Sequence, residues 1–217
     1  MNRRWYHLAA GTVLIAWAAV AYARTAGAPA SKTDAPLIAG VSAEGLCTDC
    51  HDNGSGSVVN DAGSITVLGA PALFRSGTTY RLTVRLASTH TFGSNTVWGF
   101  QLTSADKGTG GGAGTFTLVN ATETKLVSGA GSYSTRKYVD QTSSGTRTGA
   151  ASPVEWQVDW TAPISAASGV AFYASGLSSD GSGSGNSWVY TGTAAGADTV
   201  TAVIPRTWGA VKTSYLK

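Results

Sequence analysis

The sequence predicts an all-β chain built around an antiparallel β-sandwich. Three observations carry that prediction. Glycine makes up 28 of 217 residues and charged residues only 12%, a composition that disfavours helix and suits short strands joined by many turns. Two segments alternate strictly. Tyr80, Leu82, Val84 and Leu86 share one face with Arg81, Thr83 and Arg85 opposite, and Val154, Trp156, Val158 and Trp160 alternate with Glu155, Gln157 and Asp159. Period-two alternation describes a strand with one buried and one wet face. The other strand-like runs are short, are punctuated by Gly, Ser and Asp, and lack the helical spacing that a βαβ unit needs.

Taken in order, strands are expected near 64–68, 78–87, 96–103, 115–119, 125–127, 135–139, 154–161, 169–174, 187–191 and 198–204. Many short strands at this spacing pack as two sheets. Pro205 ends the last run, because proline has no N–H to give a ladder. The hydrophobic share, 42%, is sufficient for a core and excludes a fully disordered chain. The Gly-rich run 107–112 precedes no helical pattern and so implies no phosphate cradle. The run 180–186 reads as a long turn, without the acidic repeat and closing Glu of a calcium loop. Asn53 and Asn120 sit in glycosylation sequons.

Residues 1–26 read as a membrane anchor or a signal segment. Arg3 and Arg4 form a positive flank, and no charge follows until Arg24. A helix from Trp5 to about Ala26 rises ~33 Å, enough to cross a hydrocarbon core of ~30 Å. The positive flank places the N-terminus in the cytoplasm and the rest of the chain on the periplasmic, outer side. Ala21-Tyr22-Ala23 also offers a small-x-small cleavage site. Residues 27–57 are expected to hold an Ala/Pro/Ser-rich linker and a cysteine-bearing peptide, 58–204 the sandwich, and 205–217 a basic, aromatic tail. Without Arg3 and Arg4 the chain carries 13 positive against 12 negative residues (15 − 2 against 12). Such a near-neutral balance excludes a nucleic-acid binder, which needs a basic face.

The chemistry is concentrated in Cys47-Thr48-Asp49-Cys50-His51. The C-x-x-C-H spacing is that of c-type haem attachment. Two thiols three positions apart add to the two haem vinyl groups, and the adjacent imidazole becomes an iron ligand. Both cysteines of the chain fall in this motif. A structural zinc site would want four ligands. A thioredoxin-like pair would want a βαβ setting, and a bare disulfide would leave His51 without a role. One covalent haem c is therefore expected, held by Cys47 and Cys50 with His51 on the metal. The only methionine is Met1, so a His/Met haem is excluded. His90, in a loop between two strong strand signals, is the expected second metal ligand, and Trp98, close after it, the expected aromatic wall of the haem crevice.

Beyond this peptide the chain resembles the Reeler-like (choice-of-anchor V) domains of exported bacterial proteins. The resemblance is carried by residues 69–80 (GAPALFRSGTTY), 98–103 (WGFQLT), 138–143 (YVDQTS), 156–163 and 170–176 (VAFYASG), and spans roughly residues 47–191. It implies an immunoglobulin-like sandwich with a haem docked against it, because such domains often follow a single C-x-x-C-H. The chain departs from them at Gln141, where they often carry His, which moves the sixth ligand to His90 or leaves it missing. The function expected is a membrane-anchored monohaem cytochrome c. It would carry electrons on the periplasmic side to or from an integral membrane redox complex, such as a photosynthetic reaction centre or a respiratory complex, and would not itself be an enzyme. The alternatives are a cell-surface interaction or structural module, and a haem sensor or peroxidase with an open sixth site.

Overall fold

The computed structural model describes residues 26–36, 43–164, 169–182 and 186–199. Ten strands form two sheets: β1 (Gly63–Leu68), β2 (Leu73–Phe74), β3 (Thr79–Ser88), β4 (Val97–Asp106), β5 (Thr115–Leu118), β6 (Thr124–Ser128), β7 (Lys137–Gln141), β8 (Val154–Thr161), β9 (Val170–Ser179) and β10 (Ser187–Thr199). The smaller sheet has the order β1-β3-β8-β5 and the larger β2-β10-β9-β4-β7-β6. All pairings are antiparallel except β2 with β10. The architecture is an immunoglobulin-like β-sandwich. Among the described residues there is no α-helix, only three-residue 3-10 turns, and no helix long and apolar enough to cross a membrane. The anchor expected at 1–26 lies outside the described residues except at Ala26, and the tail at 205–217 lies outside them altogether.

The core follows from the alternation. Leu82, Val84 and Leu86 of β3 and Trp156, Val158 and Trp160 of β8 face Trp98, Phe100 and Leu102 of β4 and Phe172 and Ala174 of β9. Trp160 sits edge-on to both Phe74 and Phe172, with centroids 5.6 and 4.9 Å apart, geometry that aromatic quadrupoles favour. On the wet face of the smaller sheet, register sets Arg81 opposite Asp159 and Arg85 opposite Glu155, so like charges do not meet across the strands.

The strands differ from expectation where small residues conceal them. β9 runs on to Ser179 and β10 to Thr199, where two separate strands, 187–191 and 198–204, were expected. The apparent break at Gly192 is a close approach of the two sheets. A Cβ there would collide with the carbonyl of Ile65 in β1, so only glycine fits and the strand continues. Residues 200–204 lie outside the described residues.

The centre of the larger sheet is buried on both faces. In β4 the inward set is Trp98, Phe100 and Leu102, yet the outward set, Gly99, Gln101 and Thr103, is buried as well. The cover is the N-terminal segment. Lys32 N–H donates to Gln101 Oε1 (2.6 Å) and Gln101 Nε2 to Pro29 O (3.0 Å). Asp34 N–H donates to Gly45 O and Glu44 N–H to Ala35 O. Residues 27–36, expected as a linker, thus form a strap across the sheet.

Candidate functional site

The strap is fixed by a buried cluster. Glu44 and Arg136 form an ion pair with both side chains fully buried. Glu44 also accepts the Tyr138 hydroxyl and the Thr33 hydroxyl (2.6 Å). Arg136 donates further to the carbonyls of Ala35, Pro36 and Gly110. Every charge-bearing atom has a partner, the condition under which a buried pair is tolerated. Burial, followed by the Glu44 contact, pushes the Tyr138 phenol well above its usual range.

Directly after Glu44 the strap delivers the cysteine peptide to the outer face of the larger sheet. Cys47–Asp49 is one 3-10 turn, closed by Asp49 N–H to Leu46 O (3.1 Å), Cys50 N–H to Cys47 O (3.2 Å) and His51 N–H to Cys47 O (2.9 Å). Gly45 permits it, since a Cβ there would strike the Asp49 carboxylate and the Lys32 amine that pairs with it. Ser175 of β9 donates its hydroxyl to Cys47 Sγ at 3.2 Å. Ser187 of β10 donates its N–H to Asp52 O at 2.9 Å, and its Oγ lies 3.4 Å from His51 Nδ1. The chain then follows β10, with Val58 bridged to Val189. Side chains two apart on a strand share a face, so Leu177 lies between Ser175 and Ser179. Its cross-strand neighbours are Gly99 and Val189. An apolar shelf therefore separates the cysteine contact from the histidine contact.

Both thiols are free. Burial pushes the Cys47 thiol up to about 11, with the Ser175 hydrogen bond opposing and the negative charge of Asp140 adding to the rise. Cys50 and His51 are half-buried. Desolvation lowers the His51 imidazole below its ordinary value, favouring the neutral ring. Its Nε2 makes no hydrogen bond among the described residues. No group of three or more His, Cys, Asp or Glu able to hold a metal occurs among them.

The structure brings Cys47, Cys50 and His51 together and keeps His90 and Trp98 apart from them. The His90 ring stacks on Trp188, with centroids 4.4 Å apart and planes 14° from parallel. Trp188 packs against the sandwich core, whereas Ser187, beside His51, points to the outer face. Consecutive residues of β10 therefore hold the two histidines on opposite sides of the strand. Trp98 is buried in the sandwich interior, its indole N–H donating to Ala150 O (3.1 Å). Gln141 accepts Phe100 N–H at 2.8 Å and lies against Gly99, taking up a donor of β4 beyond the end of β7.

Four residues that sequence reasoning passed over shape the site: Ser175, Ser187, Asp140 and Glu44. Register aligns Lys125, Asp140, Gln101, Ser175 and Thr191 in one row across the larger sheet. Asp140 is fully buried, and neither carboxylate oxygen has a hydrogen-bond partner. The neighbouring Gln101 side chain gives one N–H to Pro29 O and accepts Lys32 N–H on its oxygen. Burial pushes the Asp140 carboxyl up to about 7, with Gln101 and Lys125 opposing. Nothing in the sequence marks Asp140, because the cover over that face is visible only in the fold.

No family model matches the chain, and no curated protein matches it. Solved structures similar to it include two determinations of the human F-spondin reeler domain. One is 23% identical, over 61% of this chain and 86% of that chain, with a TM-score of 0.38. The other is 27% identical, over 52% and 76%, with a TM-score of 0.34. A cohesin module from a Clostridium perfringens family 33 glycoside hydrolase is 7% identical, over 64% and 98%, with a TM-score of 0.41.

Proposed function

We propose that this chain is an exported, single-haem c-type cytochrome, anchored in the cytoplasmic membrane by residues 1–26. In this reading its sandwich presents the haem peptide on the periplasmic side to an integral membrane redox partner. One observation carries the reading: the C-x-x-C-H motif is a turn seated on a rigid sheet, with two free thiols and a desolvated imidazole. The residues fit the group. Cys47 and Cys50 supply the two thioether sulfurs and the neutral His51 an iron ligand. Covalent haem would supply one-electron transfer, with its potential set by the axial ligands and their surroundings. The chain's own contribution is placement: Ser175 and Ser187 hold the turn, Leu177 and Val189 offer an apolar floor, and the strap keeps the peptide against the sheet.

The position of His90 favours a variant of this reading. With His90 held on the far side of β10 and no methionine after Met1, a haem held by His51 would have its other side open or met by Lys, Tyr, Asn or water, as the haem sensor or peroxidase reading requires. The test is expression in a cell that attaches haem to exported chains. Haem staining on a denaturing gel, and a mass increased by one haem on the peptide bearing Cys47 and Cys50, are expected. Unmodified cysteines from such a cell would refute the proposal and leave an exported interaction module.

A further inference from the structure

Ser187 touches the histidine turn twice. Its N–H holds Asp52 O at 2.9 Å, and its Oγ lies 3.4 Å from His51 Nδ1. Ser187 Oγ also stands in donor geometry to Ser179 Oγ at 3.0 Å. Ser179 Oγ also accepts Gly181 N–H at 3.2 Å. Both serines are buried, so water does not readily reverse the chain. A hydroxyl that has given its proton away has only lone pairs to offer. A Ser187 hydroxyl that gives its proton to Ser179 leaves His51 as the donor, with its proton on Nδ1.

This inference rests on the haem reading above. We infer that Ser187 is a positioning residue for His51: its hydroxyl accepts the Nδ1 proton, fixes the ring orientation and leaves Nε2 bare for the metal. A ligating histidine that donates its other ring N–H in this way is more basic towards its metal and favours the oxidised ion. Ser179 is the second link, since it holds the Ser187 hydroxyl in the accepting orientation.

The test has two arms. In the full chain made without haem, nitrogen NMR of the neutral His51 ring should show the proton mainly on Nδ1. Ser187→Ala should abolish that preference and Ser187→Thr should restore it. Ser179→Ala should free the Ser187 hydroxyl to turn round and move the proton to Nε2, a result that a merely structural serine would not give. A wild-type ring protonated on Nε2, or a ratio unchanged in Ser187→Ala, overturns the inference. In the haem-loaded chain, Ser187→Ala should favour the reduced form by about three- to tenfold, roughly 30–60 mV at 59 mV per tenfold for one electron. Ser187→Thr should lie within about twofold of wild type. A tautomer that responds while the potential does not overturns the role towards the metal. A chain that takes up no haem refutes the proposed function, and the tautomer arm then decides the Ser187 contact alone.

Discussion

Asp140→Asn should make the chain more stable at pH 8, although it removes a charged residue from a strand. The carboxyl is fully buried without a hydrogen-bond donor, and its ordinary value of 3.8 is raised to about 7, first by burial. The folded chain therefore holds a proton that the unfolded chain has released over the interval from about 4 to about 7. Stability from this group is complete below about 4 and is lost as pH rises through about 7. A rise of about 3 units at 1.36 kcal/mol each corresponds to a loss of about 4 kcal/mol above pH 8. The amide cannot ionise, so the variant escapes this loss. Its unpaired amide still costs about 1–3 kcal/mol at every pH. The informative quantity is thus the change with pH of the difference between variant and wild type. At about 2–4 °C per kcal/mol for a chain of this size, the melting-temperature difference should move by roughly 10 °C in the variant's favour between pH 4 and pH 8. His51, lowered by burial, contributes a slope of the opposite sign, but it is common to both proteins and cancels. The assay is thermal unfolding of the full chain at half-unit steps of pH. Parallel curves for the two proteins would refute the claim that burial raises this carboxyl.

Four further outcomes follow from the same geometry. Glu44→Ala leaves Arg136 buried without its carboxylate, and urea denaturation should show a loss of about 3–5 kcal/mol; a loss under about 1 kcal/mol would show that the strap is not held by the pair. In the haem-free chain at pH 8, alkylation should modify Cys50 first. The Cys47 thiol, pushed up to about 11 and buried, has a thiolate fraction on the order of 10⁻³, so equal labelling of both peptides would contradict its placement. Gly192→Ala drives a methyl into the Ile65 carbonyl and should cost about 1–3 kcal/mol by thermal unfolding; a neutral result would place β1 farther from β10 than described. In the haem-loaded chain, His90→Ala should leave the spectrum unchanged and the reduced form should bind carbon monoxide; a move from low to high spin would put His90 on the iron.

The smaller sheet was legible because its outer face is wet. β3 and β8 alternate apolar with polar or charged residues, and that pattern gives strand and face, while the register came from the fold. The larger sheet was legible only in part, because both faces of its centre are buried and its outward set is Gly99, Gln101, Thr103 and Ser175 rather than charged residues. Such residues read equally as turn or strand, so β9 and β10 were expected to end early. The motif Cys47–His51 was visible through residue chemistry and spacing. Its seat was not, since Ser175 and Ser187 are common residue types whose role comes from a fold that pairs positions more than a hundred residues from the motif. His90 stands out in the sequence as the one histidine after His51, in a loop between two strong strands, and Trp98 by its closeness to His90 along the chain. Neighbouring strand residues face opposite ways, however, and one sheet lies between them and His51.

The strap ties these features together. A two-sheet sandwich already has its core, and nothing in that core requires residues 27–36 and 43–51. Yet this segment brings a buried ion pair and covers a row containing an unpartnered carboxylate, both of which cost stability. What the cover achieves is location. It holds Cys47 against β9 and His51 against β10, so the turn rests on a backbone that the sandwich makes rigid. A free tether would let the peptide swing, with its exposure and its surroundings varying. A peptide pinned at Ser175 and Ser187 offers one environment, which is what the proposed haem centre would need for a defined potential.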